Sequence, residues 1–282
     1  MFVTVNGARI FFDAAGPELA LADDKMVTRP TLLVLHGGPG FDHSTMRPYF
    51  DRFADSHHVV YLDHRGNGRS SGEREGWTLA QWGEDVKAFC EALGIEKPVV
   101  YGNSFGGMVA MSYATRYPDH PAKLILSSTA ARMQMAETLR VFEAKGGTEA
   151  RAAAERFWRD FTDASLADYM RLCMPLYNPP GSSEGGAAIQ RRAIMRFETM
   201  RHFSLGEIQT MNALPELAKI ACPTLVMGGS EDPITPVLCA REIFAALPER
   251  VRRLEIFEGA GHGVHRDQPD KAERVLRGFL AA

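Results

Sequence analysis

The chain has 282 residues, 45% of them hydrophobic and 24% charged, with a net charge of −3 at pH 7. That length suits one large domain, or one domain carrying an insertion, and is ample for a sizeable core. The composition is that of an ordinary globular protein, and the near-neutral charge excludes the basic footprint of a nucleic-acid or anionic-membrane binder.

The N-terminus reads as a hairpin, because FVTV and ARIFF flank Asn6-Gly7, a strong hairpin-turn signal. It shows no charged segment leading into a long apolar run, so no signal peptide is expected. A polar loop through Asp23, Asp24 and Lys25 follows. Short apolar runs closed by turn residues come next: TLLVLHGG, HHVVYLDHRG, PVVYGNS, KLILSST, PTLVMGGSED and RRLEIFEGAGH. Runs this short and rich in Val, Leu and Ile predict strands buried on both faces. Helical patterns separate them, over 79–93, 104–117, 236–247 and 267–280; Gly94 closes the first and Pro118 the second. Alternation of strand and helix predicts a parallel sheet with helices on both faces.

One interval breaks this rhythm. From Ala131 to Leu214 the patterns are helical; Ile189, Ala193, Phe197 and Met200 repeat at helical spacing, and YNPPGSSEGG is a breaker. The chain thus divides into a core, 1–130 and 215–282, and a helical cap or lid, 131–214, inserted between two strands. No stretch is long enough for a membrane span. The four cysteines (Cys90, Cys173, Cys222, Cys239) form no C-x-x-C pair, so neither a zinc site nor a disulfide framework is expected, and a reducing, cytoplasmic compartment is.

The candidate chemistry lies at the carboxyl ends of the predicted strands, where open α/β sheets bind ligands. Ser104 sits between Gly102 and Gly106 at a strand-to-helix corner, with the positive end of a helix beside it. A serine hydroxyl needs a base. His262 follows the last predicted strand, with His265 as runner-up. The base needs an acid to orient it; Asp232 closes the penultimate strand, and Glu231 competes. Oxyanion donors are expected from the backbone N–H groups of Phe105 and Gly38, with Gly37 a weaker candidate. His36 suits a structural role, holding the glycine loop by hydrogen bonds.

The motifs HGGPG (residues 36–40), DHRGNGRS (63–70), GNSFGG (102–107), GGSEDPITP (228–236) and GAGH (259–262) resemble the α/β-hydrolase superfamily. HGGPG together with D-x-R-G-x-G-x-S resembles the proline iminopeptidase group more narrowly. The resemblance implies an α/β-hydrolase fold and a serine hydrolase without cofactor or metal, with Ser104, Asp232 and His262 as its triad. DHRGNGRS reads as architecture, with Arg65 pairing nearby carboxylates or carbonyls.

The prolyl members carry a Trp-x-x-Trp-Glu stretch in the lid and a Trp or Tyr after the serine. Here Trp158 stands alone in RFWRDF, and Phe105 follows the serine. The segment 131–214 holds seven of the thirteen methionines and no acidic excess. An aminopeptidase must bind a free ammonium, which calls for carboxylates aimed into the pocket. The expected reaction is therefore hydrolysis of a carboxylic ester or lactone of a small apolar molecule through an acyl-enzyme. N-terminal peptide hydrolysis is the alternative, and a ligand-binding protein on a hydrolase fold is the reading from another class. The expected partner is a small-molecule substrate, with no nucleic acid and no membrane insertion. The chain is expected to be a monomer or small homo-oligomer.

Overall fold

Asn6 and Gly7 take positive φ angles of 46° and 74° and turn strand β1 (Phe2–Val5) back on β2 (Ala8–Ala15), as Asn-Gly predicts. The structure, a computed structural model, describes residues 1–181 and 186–282. The polar loop expected next is instead the turn of a ribbon, β3 (Leu19–Ala22) with β4 (Lys25–Thr28), reversing at Asp23 and Asp24. Backbone pairing holds the two strands while almost every side chain on them is exposed. No alternation of buried and exposed positions existed for the sequence to show.

Strand and helix then alternate: β5 (Thr31–Leu35), β6 (His58–Leu62), α1 (Leu79–Ala92), β7 (Val99–Asn103), α2 (Phe105–Arg116) and β8 (Lys123–Ser127). The predicted helical interval follows, with α3 (Met135–Arg159), α4 (Asp163–Leu172), α5 (Gly186–Arg192) and α6 (Phe197–Leu205). The chain ends with β9 (Thr224–Gly229), α7 (Val237–Ala246), β10 (Arg252–Phe257), α8 (Val264–Asp267) and α9 (Pro269–Ala281). Among the described residues eight strands form one sheet, ordered β1-β2-β6-β5-β7-β8-β9-β10. It is parallel from β6 to β10 and antiparallel at β1 and β2.

Successive side chains of a strand point to opposite faces, and here both faces are covered. Leu33 and Leu35 join Trp82 and Phe89 of α1, Val109 of α2 and Ile243 of α7. Leu32 and Val34 join Phe50, Phe53, and Leu276 and Phe279 of α9 on the other face. This is why the strands read as unbroken apolar runs. Helix α1 starts where the Thr78 hydroxyl accepts the Gln81 N–H at 3.2 Å, and ends before Gly94, at φ 68°. The four cysteines are buried and free. Among the described residues no helix is long and apolar enough to cross a membrane.

The inserted helices carry a cluster of their own, with Phe142, Phe157, Phe161, Tyr169 and Met200 at its centre. Helix α3 kinks at Gly147, which takes φ 74°. The single period expected through Ile189, Ala193, Phe197 and Met200 is broken, because residues 193–196 are not helical. There the Arg196 N–H donates to the Gly40 carbonyl at 2.6 Å, and the Arg196 guanidinium donates to the Gly68 carbonyl at 3.0 Å. Docking onto these loops overrides the local helical preference. Part of the YNPPGSSEGG breaker, residues 182–185, lies outside the described residues.

Candidate active site

Ser104 stands between β7 and α2 at φ 53° and ψ −118°, a strained conformation for a residue with a side chain. Its neighbours explain how the corner closes. A Cβ on Gly102 would lie 2.5 Å from the Gly106 carbonyl oxygen, and one on Gly106 would lie 2.3 Å from that of Leu35. The Ser104 N–H donates to Ser127 O at 2.9 Å, and its carbonyl accepts the Thr129 hydroxyl at 2.7 Å. The N–H of Phe105 opens α2, where backbone donors have no partner within the helix. The Phe105 ring packs edge-on against Trp82 at 4.8 Å and Phe203 at 5.1 Å, which pins that N–H in place.

The strand ends bring Ser104, Asp232 and His262 together. His262 Nε2 lies 3.0 Å from Ser104 Oγ, and His262 Nδ1 lies 2.8 Å from Asp232 Oδ2. Asp232 is buried in a ring of donors: Ile234 N–H at 2.8 Å and Thr235 N–H at 2.9 Å on Oδ1, and the Thr235 hydroxyl at 2.8 Å on Oδ2. These bonds aim the carboxylate at the imidazole and disfavour its rotation. The donors were not foreseen, although DPIT has a readable form. An Asp capping the N–H groups two and three residues on is a familiar turn device. Glu231 is exposed, and no hydrogen bond joins its carboxylate to His262. His265 is buried 3.4 Å from the Tyr101 hydroxyl, on the far side of its loop, and makes no hydrogen bond to Ser104.

The HGGPG loop lies against the serine. A Cβ on Gly37 would meet Asn103 Nδ2 at 2.8 Å and Ser104 Cβ at 3.2 Å, and Gly38 takes φ 68°. His36 works as expected, with Nδ1 donating to Gly37 O at 3.0 Å and Nε2 accepting the His64 N–H at 3.2 Å. Both roles require a neutral ring, and burial lowers the His36 pKa. The same loop is anchored by Asn67, whose side-chain oxygen accepts the Gly40 N–H. Arg65 pairs with Asp85 through bonds of 2.7 and 2.8 Å, the architectural role expected for DHRGNGRS. Asp42, His43 and Asp63 also converge in the interior. Their groups are engaged: Asp63 accepts the backbone N–H groups of His43 and Arg69, and Asp42 accepts Arg69 Nη1 at 2.7 Å.

A cavity of about 170 Å³ opens over Ser104. The inserted segment supplies much of its wall, including Met133, Met170, Met174, Met200, Phe157 and Trp158. Gly38, Phe105 and His262 border the same cavity.

The description "alpha/beta hydrolase fold" belongs to the family whose model matches residues 30–269. The chain is a member of the α/β-hydrolase family. Proline iminopeptidase PfmaB of Pestalotiopsis fici is 28% identical to this hydrolase over 292 aligned positions, covering 99% of this chain and 98% of that protein. The proline iminopeptidase of Mycobacterium smegmatis has a TM-score of 0.78 at 22% identity, covering 100% of this chain and 97% of that one. The enol-lactonase from Burkholderia xenovorans LB400 has a TM-score of 0.70 at 20% identity, with both chains fully covered (100%). This hydrolase therefore resembles proline iminopeptidases along its whole length and shares its fold with lactonases.

Proposed function

We propose that this hydrolase cleaves a carboxylic ester or lactone of a small, largely apolar molecule, with Ser104 as nucleophile, His262 as base and Asp232 as the group that orients His262. One observation carries the substrate class. Among the described residues, no Asp or Glu lines the cavity over Ser104, and Arg266 does. A substrate ammonium would enter an apolar pocket in which none of the described lining residues supplies a counter-charge. An ester or lactone needs only apolar contact and a carbonyl within reach of the serine. Methionine side chains adapt to such ligands.

In the proposed reaction His262 Nε2 takes the Ser104 proton as Oγ attacks the carbonyl carbon. The N–H groups of Phe105 and Gly38 hold the resulting oxyanion. Collapse expels the alcohol, which takes the proton from His262. Water then attacks the acyl-enzyme by the same route, releasing the acid and restoring Ser104. The inserted helices act as a lid over this chemistry.

A side-by-side rate comparison tests the substrate class, using short and long p-nitrophenyl esters, an acyl-homoserine lactone and proline p-nitroanilide. The expected outcome is a kcat/KM on an ester or lactone at least ~100-fold above that on the anilide. A dominant proline signal would establish the second reading, an N-terminal aminopeptidase, which the likeness to proline iminopeptidases favours. A fluorophosphonate probe separates enzyme from binder, since a non-catalytic ligand-binding protein would not be labelled at Ser104.

A further inference from the structure

We propose that Tyr177, Asn178 and Asp267 form a clasp that positions His262, so that the inserted segment holds the base in line with Ser104. The inference rests on His262 being the base, as proposed above. The loop carrying His262 leaves β10 and enters α8, and at its two ring nitrogens the side chain meets Asp232, with the Thr235 hydroxyl beside it at 3.4 Å, and Ser104. Its backbone is steered from elsewhere. The His262 N–H donates to the carbonyl of Tyr177 at 2.7 Å, and the Gly261 N–H donates to Asp267 Oδ2 at 2.7 Å. The other oxygen of that carboxylate accepts Asn178 Nδ2 at 2.8 Å. One carboxylate thus ties the histidine loop to the inserted segment, beside a direct backbone bond.

Three further observations show a fitted contact. A Cβ on Gly261 would lie 2.0 Å from the Tyr177 carbonyl oxygen, so only glycine lets the two backbones meet. The Tyr177 ring stands edge-on to the His262 ring at 5.4 Å and 85°. That ring is held in turn by a 2.7 Å bond between the Tyr177 and Tyr169 hydroxyls. The His262 N–H and its ring therefore contact Tyr177 directly, and the Gly261 N–H is tied through Asp267 to Asn178, both far from His262 in sequence. A shift of the inserted segment moves the base. Displacements near 1 Å at a proton-transfer group lower rates by about 100-fold.

Asp267 is the position to test, because it does not border the cavity and its variants leave the substrate's own contacts in place. Asp267→Ala removes the clasp, and kcat on a short p-nitrophenyl ester is expected to fall about 10- to 100-fold with KM within about 3-fold of wild type. Asp267→Asn retains an oxygen for Gly261, and the Asn178 amide can turn to accept its new N–H, so kcat is expected to recover to within about 3-fold of wild type. Asn178→Asp sets two carboxylates face to face and lowers kcat; adding Asp267→Asn restores a donor and an acceptor, and with them the rate. The proton on His262 Nδ1, observed by NMR, should broaden in Asp267→Ala and persist in Asp267→Asn. Wild-type kcat in Asp267→Ala, beside an inactive His262→Ala, overturns the clasp and leaves the base assignment standing. Full turnover in His262→Ala overturns the base assignment itself. If Asp267→Ala does not fold, Asn178→Ala, which also removes a cavity-lining amide, carries the test through the His262 Nδ1 proton alone: a signal as sharp as wild type overturns the clasp.

Discussion

The sheet and the inserted helices reach the same cavity by different physics. On the sheet side each group is placed by short-range backbone rules: a strand end, a positive-φ corner, glycines that allow carbonyls within 2.3 Å of where a Cβ would sit. The inserted side supplies shape, through methionines and aromatic rings that adapt to one another. The sheet side tolerates almost no change in backbone, while the inserted side tolerates change in volume. The sheet side of the cavity is therefore legible as motifs, and the inserted side is spread over residues with no motif. The contact at Tyr177 and Gly261 is where the two regimes meet.

The sharpest way to break this comparison is to remove chemistry without disturbing shape. Ser104→Ala is expected to lower kcat by about 10⁴- to 10⁶-fold, and Asp232→Asn by roughly 10⁴-fold, with binding of a substrate analogue nearly unchanged. Glu231→Gln should stay within about 3-fold of wild type. A worse outcome for Glu231→Gln than for Asp232→Asn would mean that the carboxylate serving His262 is misassigned.

A smaller effect separates the two sides by stability. Gly106→Ala forces a Cβ to 2.3 Å from Leu35 O and 2.6 Å from His36 O, both backbone atoms that have nowhere to go. It is expected to cost at least about 3 kcal/mol, lowering Tm by roughly 6 °C or more. Gly147→Ala at the kink of α3 meets nothing within 4 Å and suffers only its positive φ. At ψ −173° that conformation is one glycine alone adopts readily, and the cost is expected to be about 2 kcal/mol. Equal losses of Tm in the two variants would erase the distinction.

The last comparison is a pH dependence carried by the sheet side. Burial lowers the pKa of His36 and pushes those of His64 and His265 well below the ordinary histidine value. All three stay neutral in the fold, while the unfolded chain takes up protons below about pH 6.5. The unfolded state binds more protons there, so stability is full above that pH and is lost as the pH falls toward the lowered native values. Each such histidine costs about 1.4 kcal/mol per pH unit across that window. Hydrogen exchange should therefore show amides of β5, β6 and β7 losing protection on mild acidification before those of α3 and α4. The reverse order would place the acid-sensitive groups in the inserted helices.

Much of the fold was legible before any coordinates. Five buried strands, β5 to β9, the hairpin at Asn6-Gly7 and the helices between strands follow from the burial of both sheet faces and from helix-ending glycines, which are local signals; β10, expected to be buried on both faces, is the half-buried edge strand, with only Phe257 fully covered. The ribbon at β3 and β4 was not legible, because its side chains face outward and leave no pattern. The helix expected through Ala193 failed for the opposite reason: Arg196 finds stronger partners in the loops at Gly40 and Gly68 than in its own helix.

The sequence by itself determined the family, the order Ser104, Asp232, His262 along the chain, and the glycine loop beside them, because each depends on a residue type at a strand end or a tight corner. It left two pairs open, Asp232 against Glu231 and His262 against His265. Neighbours in a loop differ only in direction, and direction is set by what the rest of the chain packs against them. Only the tertiary structure turned Asp232 inward onto the donors of Ile234 and Thr235, and buried His265 against Tyr101. Only the tertiary structure set Tyr177 against Gly261, a contact between two segments with no shared period, made possible by the absence of a side chain on one of them.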